Sequence, residues 1–284
     1  MPPSNPARPL ENKLAIVTGA SRGIGAAIAE NLASRGANLI INYTSASSTD
    51  LANDLASRLA QEYNIKASHV QADIGTPEGV QKLIEFAKQA AASNSSKFQI
   101  DIIINNAGIA DNAPLPQITT AQFENTYRVN VLGPLLLVQA AQPYLPQDRS
   151  GRIINISSVS SSCGFVGQSV YGGTKAAIEA MTRTWSRELA ENCTVNAVNP
   201  GPVEGPMYAS NSPEFLENIE GWIKHTPLMK SREGDEPQDP VMPAGTRGAT
   251  TKEIAGVVGM LCGKDAKWIT GQVVCANGGM VMLH

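Results

Sequence analysis

The chain has 284 residues, 42% hydrophobic and 17% charged, with a formal net charge of −3. That is enough apolar side chain for one large α/β core or two small ones, and the mild acidity without a basic run argues against a phosphate-tracking surface and a nucleic-acid partner. No stretch reaches the roughly 18 apolar residues of a membrane span, and the opening MPPSNPARPL lacks the apolar run of a secretory signal, so no membrane association and a cytoplasmic location are expected.

Residues 1–12 hold Pro2, Pro3, Pro6 and Pro9 and are expected to form an extended or disordered leader. From residue 13 the chain alternates between strand-like and helix-like segments. Residues 14–18 are a short apolar run ending in glycines, and 25–35 show helical periodicity. A second strand is predicted at 38–42, an amphipathic helix at 50–63 and a third strand at 68–72. Thr76 then supplies an N-cap with Pro77 at the first helical position. Residues 100–105 (IDIIIN) predict a fourth strand. Thr119–Gln122 has the spacing of a capping box before a long helix. A fifth strand at 152–157 precedes a helix carrying Tyr171 and Lys175. A sixth is predicted at 194–198, a second capping box at Thr250–Glu253 and a last strand at 272–276. This alternation, with nearly continuous apolar strands, predicts one parallel sheet covered on both faces. The single domain is expected to span 13–284, with a lid and insertion around 204–249. Within it, the polar, proline-rich stretch 230–243 is expected to be an exposed loop. Cys163, Cys193, Cys262 and Cys275 match no zinc or CxxC spacing, so free thiols and no metal site are expected.

Gly19-Ala20-Ser21-Arg22-Gly23-Ile24-Gly25 lies where the first strand meets the first helix. Glycines there permit a tight turn and close backbone approach to a pyrophosphate, and the helix N-terminus offers N–H donors. A glycine cluster alone also fits an ordinary strand-to-helix loop. Tyr171 and Lys175 are four residues apart and share a helix face. An ammonium beside a phenol favours the phenolate and brings its pKa nearer the working range of a proton carrier. By spacing alone the pair equally fits a surface contact.

Thr18–Gly25 (TGASRGIG), Asn105-Asn106-Ala107-Gly108, Tyr171-Gly172-Gly173-Thr174-Lys175 and Asn199-Pro200-Gly201-Pro202-Val203 together resemble the short-chain dehydrogenase/reductase family, in order and approximate spacing, from about Lys13 to Gly279. The resemblance includes 3-oxoacyl-carrier-protein reductases and polyketide or naphthol reductases. It implies a Rossmann-like doubly wound domain of about seven parallel strands. It also implies that Ser158 and Tyr171 bind the carbonyl oxygen, that Tyr171 donates the proton, that Lys175 holds the nicotinamide ribose and tunes Tyr171, and that Asn130 supports a proton relay. The cofactor contacts it implies are Gly19, Ser21, Arg22, Gly23, Ile24, Gly25, Tyr43, Thr44, Ser45, Asp73, Ile74, Asn106, Ala107, Gly108, Tyr171, Lys175, Pro200, Gly201 and Val203. The second strand ends without a carboxylate, at Tyr43-Thr44-Ser45, and Arg22 lies in the glycine loop. This favours NADP(H) over NAD(H), because a carboxylate there would repel a 2′-phosphate. Ser157 is expected to point away from the site.

The substrate pocket is expected to draw on Cys163, Gly164, Phe165, Gln168, Met207, Tyr208 and Trp222, a mostly apolar lining suited to a neutral or aromatic ketone. Tyr208 and Trp222 equally fit a mobile lid. Three features depart from the family: Gly172 and Gly173 follow the tyrosine, Gly205 stands where a threonine often binds the carboxamide, and 229–243 looks inserted. Close packing of the cofactor is one reason for the paired glycines. No GxSxG elbow occurs and His69, His225 and His284 match no motif, so a hydrolase triad has no support. The expected activity is NADPH-dependent reduction of a ketone to a secondary alcohol, reversibly. Alternatives are a recruited cyclisation or dehydration step, or a non-catalytic NADP(H)-binding sensor. The family also implies a homotetramer or homodimer joined through helices at about 119–142 and 169–191.

Overall fold

The computed structural model describes residues 8–91, 98–235 and 240–282. Seven strands are present: β1 (Leu14–Val17), β2 (Asn38–Tyr43), β3 (Ala67–Gln71), β4 (Ile102–Asn105), β5 (Gly151–Ile156), β6 (Cys193–Pro200) and β7 (Val273–Ala276). They form one sheet in the order β3-β2-β1-β4-β5-β6-β7, and every pairing is parallel. The helices are α1 (Gly23–Ser34), α2 (Thr49–Tyr63), α3 (Pro77–Ala91), α4 (Thr120–Tyr127), α5 (Gly133–Ala141), α6 (Ser169–Glu188), α7 (Pro206–Ala209), α8 (Pro213–His225) and α9 (Thr251–Cys262). This is the doubly wound, Rossmann-like fold expected from the alternation.

The central strands are buried on both faces, because helices cover both. One core sets Ile28 and Leu32 of α1, Leu55 and Leu59 of α2 and Ile254 and Val258 of α9 against Val17, Ile41 and Ile104. The other sets Leu83, Leu137 and Ile178 of α3, α5 and α6 against Ile16, Ile103 and Ile153. Each such side chain, fully buried, contributes about 1.5–3 kcal/mol. Register fixes the alternation: Val17 lies beside Ile41 and Ile104, and Ile104 beside Ile154. The chain runs outward from β1 to β3 and returns to β4, so strand order reverses at β1/β4. In such sheets the crevice beyond the strand C-termini at this point is where ligands bind. Among the described residues no helix is long and apolar enough to cross a membrane.

Four expectations need correction. Residues 1–7 of the expected leader lie outside the described residues, but 8–12 are turned and tied down. Leu10 is buried and its N–H donates to the Arg35 carbonyl. The helix expected over 119–142 is interrupted: Arg128–Leu132 forms a π-helical turn between α4 and α5. Only half of its expected capping box forms, since Gln122 sends its side chain to the Asp111 carbonyl; the box at Thr250 and Glu253 is complete. Of the stretch 230–243, residues 236–239 lie outside the described residues, and the rest is not simply an exposed loop. Met242 is buried with Tyr208, Phe215, Ile219, Ile223 and Met229 in a small third core, and Lys230 and Thr246 form an antiparallel bridge.

Candidate active site

Beyond the C-termini of β1, β4, β5 and β6 lies a cleft of about 500 Å³. The glycine turn forms one end. Thr18 anchors it: its hydroxyl donates to the Ile104 carbonyl and accepts the N–H groups of Asn106 and Ala107, each at 3.0 Å. The Asn106 carboxamide donates back to the Thr18 and Gly19 carbonyls. Gly19 has φ +61°, and a Cβ there would stand 2.8 Å from the Ala107 Cα. At Gly25 a Cβ would lie 2.5 Å from the Asn106 amide nitrogen. The first turn of α1 has no side-chain cap and no acidic residue, so its orphan N–H donors remain available to an anion.

Gly19, Ser21, Arg22, Gly23, Ile24, Gly25, Tyr43, Thr44, Ser45, Asn106, Ala107, Gly108, Pro200, Gly201 and Val203 all line this cleft. The Arg22 side chain is exposed and makes no ion pair among the described residues. Asp73 and Ile74 do not line it. The Asp73 carboxylate is held by Arg128 at 2.8 Å and by the Gly75 N–H at 2.9 Å. Ile74 is buried where α5 begins, against Gly133.

Ser158, Tyr171 and Lys175 line the middle of the cleft. Ser158 leaves the end of β5, and its hydroxyl accepts the Ser160 N–H at 3.2 Å. Ser157 points the other way, as expected, donating to Glu179 at 2.6 Å. Desolvation pushes the Tyr171 phenol up to about 12, opposed by a hydrogen bond with the Ser158 side chain. Tyr171 is therefore held as the neutral phenol around pH 7. Burial, rather than Lys175, dominates the shift of Tyr171 in this geometry. The ammonium lies over the Tyr171 ring, 5.5 Å from its centroid, and donates to the Ile156 carbonyl at 2.8 Å. Burial lowers Lys175 to about 8, and the neighbouring Glu179 works against that shift.

Asn130 sits in the π-helical turn, a type of distortion common at functional sites. Its Oδ1 accepts the Ile109 N–H, and its Nδ2 donates to the Ile109 carbonyl and to Thr174. The glycines after Tyr171 meet close neighbours within the protein itself. A Cβ at Gly172 would meet the Ser160 carbonyl at 2.5 Å, and one at Gly173 the Tyr127 hydroxyl at 2.8 Å. Gly205 has φ +136°, a backbone state that disfavours the threonine seen elsewhere.

At the far end Phe165, Gln168, Met207 and Tyr208 line the cleft, joined by Asn211, Phe215 and Ile219. Cys163, Gly164 and Trp222 do not. Burial raises the Cys163 thiol, which weakens it as a nucleophile, and Trp222 packs edge-on against Phe165, 5.6 Å away. Gln168 is buried, and its carbonyl oxygen has no partner among the described residues. Glu179, Ser161 and Asn199 were not anticipated. The signal for Glu179 was the same i,i+4 spacing that pairs Tyr171 with Lys175.

The short-chain dehydrogenase family model matches residues 13–215. The L-xylulose reductase of Aspergillus niger is 51% identical over 96% of this chain and 98% of its own length. The L-xylo-3-hexulose reductase of Hypocrea jecorina is 48% identical over 97% and 99%. Among solved structures, an angucycline C-6 ketoreductase with bound NADP is 32% identical, with a TM-score of 0.81 over 96% of each chain. With the family's glycine turn and its serine, tyrosine and lysine brought to one cleft, the chain belongs to the short-chain dehydrogenase/reductase family.

Proposed function

We propose that the protein is an NADP(H)-dependent reductase that converts a ketone to a secondary alcohol, with a short, neutral polyhydroxy ketone as its preferred substrate. The observation that carries this reading is the placement of Ser158, Tyr171 and Lys175 in a cleft whose other end is an uncapped helix N-terminus. The glycine turn and α1 would hold the pyrophosphate. Arg22 with Tyr43, Thr44 and Ser45, a set without a carboxylate, would take the 2′-phosphate. Reduced nicotinamide, when bound, supplies the hydride.

The chain's own residues do the rest. Ser158 and Tyr171 donate hydrogen bonds to the carbonyl oxygen as its negative charge grows. Tyr171, protonated at neutral pH, transfers its proton to that oxygen. Lys175, charged below about 8, places a positive charge beside the phenolate left behind and is the candidate hand-hold for the ribose. Asn130 fixes the Ile109 backbone and Thr174, so it supports this arrangement from below. The polyhydroxy preference draws on the two ketose-reducing relatives.

The test follows 340 nm absorbance with NADPH and a ketone panel that includes L-xylulose. Wild type is expected to turn over, and Tyr171→Phe to lose about 10²–10⁴-fold in kcat, the usual worth of a general acid. Retained activity in Tyr171→Phe would sink the mechanism. NADPH binding without turnover on any carbonyl would favour a sensor instead.

A further inference from the structure

We propose that Glu179 is a positioning residue of the active site: its carboxylate joins the segment carrying Ser158, the helix carrying Tyr171 and Lys175, and the strand end leading to Pro200 and Gly201, while holding a negative charge one helical turn from the Lys175 ammonium. This rests on the reductase reading above.

Glu179 is buried within α6. One oxygen, Oε1, accepts three hydrogen bonds: from Ser157 Oγ at 2.6 Å, Ser161 Oγ at 2.8 Å and Asn199 Nδ2 at 3.1 Å. Asn199 Nδ2 also donates to the carbonyl of Ser158 itself, at 3.0 Å. The carboxylate thus sets the backbone of the residue expected to bind the substrate oxygen, from the helix that carries the proton donor. A buried charge is costly unless hydrogen-bonded and paired. Three neutral donors supply the bonds, and Lys175 supplies the opposite charge.

The groups around Lys175 leave Glu179 with that electrostatic role. Tyr171, on the same helix, lies beneath Nζ. From β5 comes the Ile156 carbonyl, and from the π-helical turn the Asn130 carboxamide, both uncharged. Tyr127, on α4, meets the helix at Gly173. Among the charges of the described residues, Glu179 is the one that opposes the lowering of Lys175 by burial. Removing the charge would let Lys175 lose its proton at lower pH. Reduction needs the ammonium, so the alkaline limb of the rate profile would move down.

The experiment compares wild type, Glu179→Gln and Ser161→Ala with NADPH and L-xylulose over roughly pH 6–10, a span that brackets the lysine. Glu179→Gln is expected to lose about tenfold or more in kcat near pH 7 with little change in the KM for NADPH, and its alkaline limb to fall by about one pH unit. Ser161→Ala removes one bond and keeps the charge, so kcat should fall less than about threefold with the limb in place. A Glu179→Gln profile matching wild type overturns the proposal, as does a loss of kcat with the limb unmoved. If Glu179→Gln does not fold, Glu179→Asp keeps the charge and draws the carboxylate back: reduced kcat with an unmoved limb supports the proposal, and unchanged kcat overturns it. Absence of turnover in wild type strikes the reductase reading instead. Lys175 is then titrated directly by side-chain NMR, where a lower pKa in Glu179→Gln supports the proposal and an equal one overturns it.

Discussion

Between Thr18 and Gly108 the wall of the cleft is backbone, pinned by the Thr18 hydroxyl and the Asn106 carboxamide. Between Gly205 and Ile219 it is built from side chains packed on a small core of their own, apart from the two cores that grip the sheet. The first wall leaves no room for one added carbon at Gly19 or Gly25. The second rests on Tyr208, Phe215, Ile219 and Met242, whose shapes can be exchanged without touching the sheet. A rigid backbone surface suits the part of a ligand that never changes, and a replaceable side-chain surface suits the part that differs between substrates.

Three measurements bear on that contrast. The largest effect is expected from Gly25→Ala. Its Cβ would force the Asn106 carboxamide and the Gly19 carbonyl apart, and NADPH affinity, read by fluorescence titration, should fall by about 100-fold, or ~2.8 kcal/mol. An unchanged affinity would mean that the backbone wall gives way as readily as the side-chain wall. Arg22→Ala should be intermediate. It removes an exposed cation and no backbone, so the Kd for NADPH should rise about tenfold while that for NADH stays put. Equal losses for both cofactors would remove Arg22 from the 2′-phosphate. The smallest effect on chemistry is expected from Met242→Ala. NADPH affinity should be untouched and the KM for the ketone should rise by only about two- to fivefold, a modest loss of pocket packing. Hydrogen exchange in α7 and α8 should nonetheless quicken, with β1 and β4 still protected, because the cavity loosens only the third core. Faster exchange throughout the sheet would show that the third core is not a separate unit.

The sheet and its glycine turn were legible because their signals are local. Runs such as IDIIIN and RIINIS, bounded by turn residues, mark strands buried on both faces wherever they fall. Ser158, Tyr171 and Lys175, the proposed reacting residues, were picked out by the family resemblance of their motifs rather than by spacing alone, and the fold brings them to one cleft. What escaped depends on neighbours distant in sequence. Four prolines suggested a loose leader, but Leu10 is held by Arg35. Asp73, expected as a cofactor contact, is paired with Arg128 from 55 residues away. Gly172 and Gly173 are poor helix formers, and their reason lies in Ser160 and Tyr127. The acidic, proline-rich 230–243 stretch reads as solvated by composition, while Val241 and Met242 draw its end into the third core.

The π-helical turn at Arg128–Leu132 settles how one length of chain meets two partners. Fitting an extra residue into a turn rotates all that follows by about 100° relative to an unbroken helix. Upstream of this step, Thr126 is buried and Tyr127 lies against Gly173 of α6. Downstream, Leu137, Val138 and Ala141 join the core beneath the sheet. Asn130 stands at the change of phase, where the widened turn lets its amide reach Ile109 and Thr174 together. In a helix of uniform pitch, seating the apolar face on the sheet would swing the upstream face off α6. The added residue thus works as a phase shifter, letting the core and the catalytic helix each be met at its own angle.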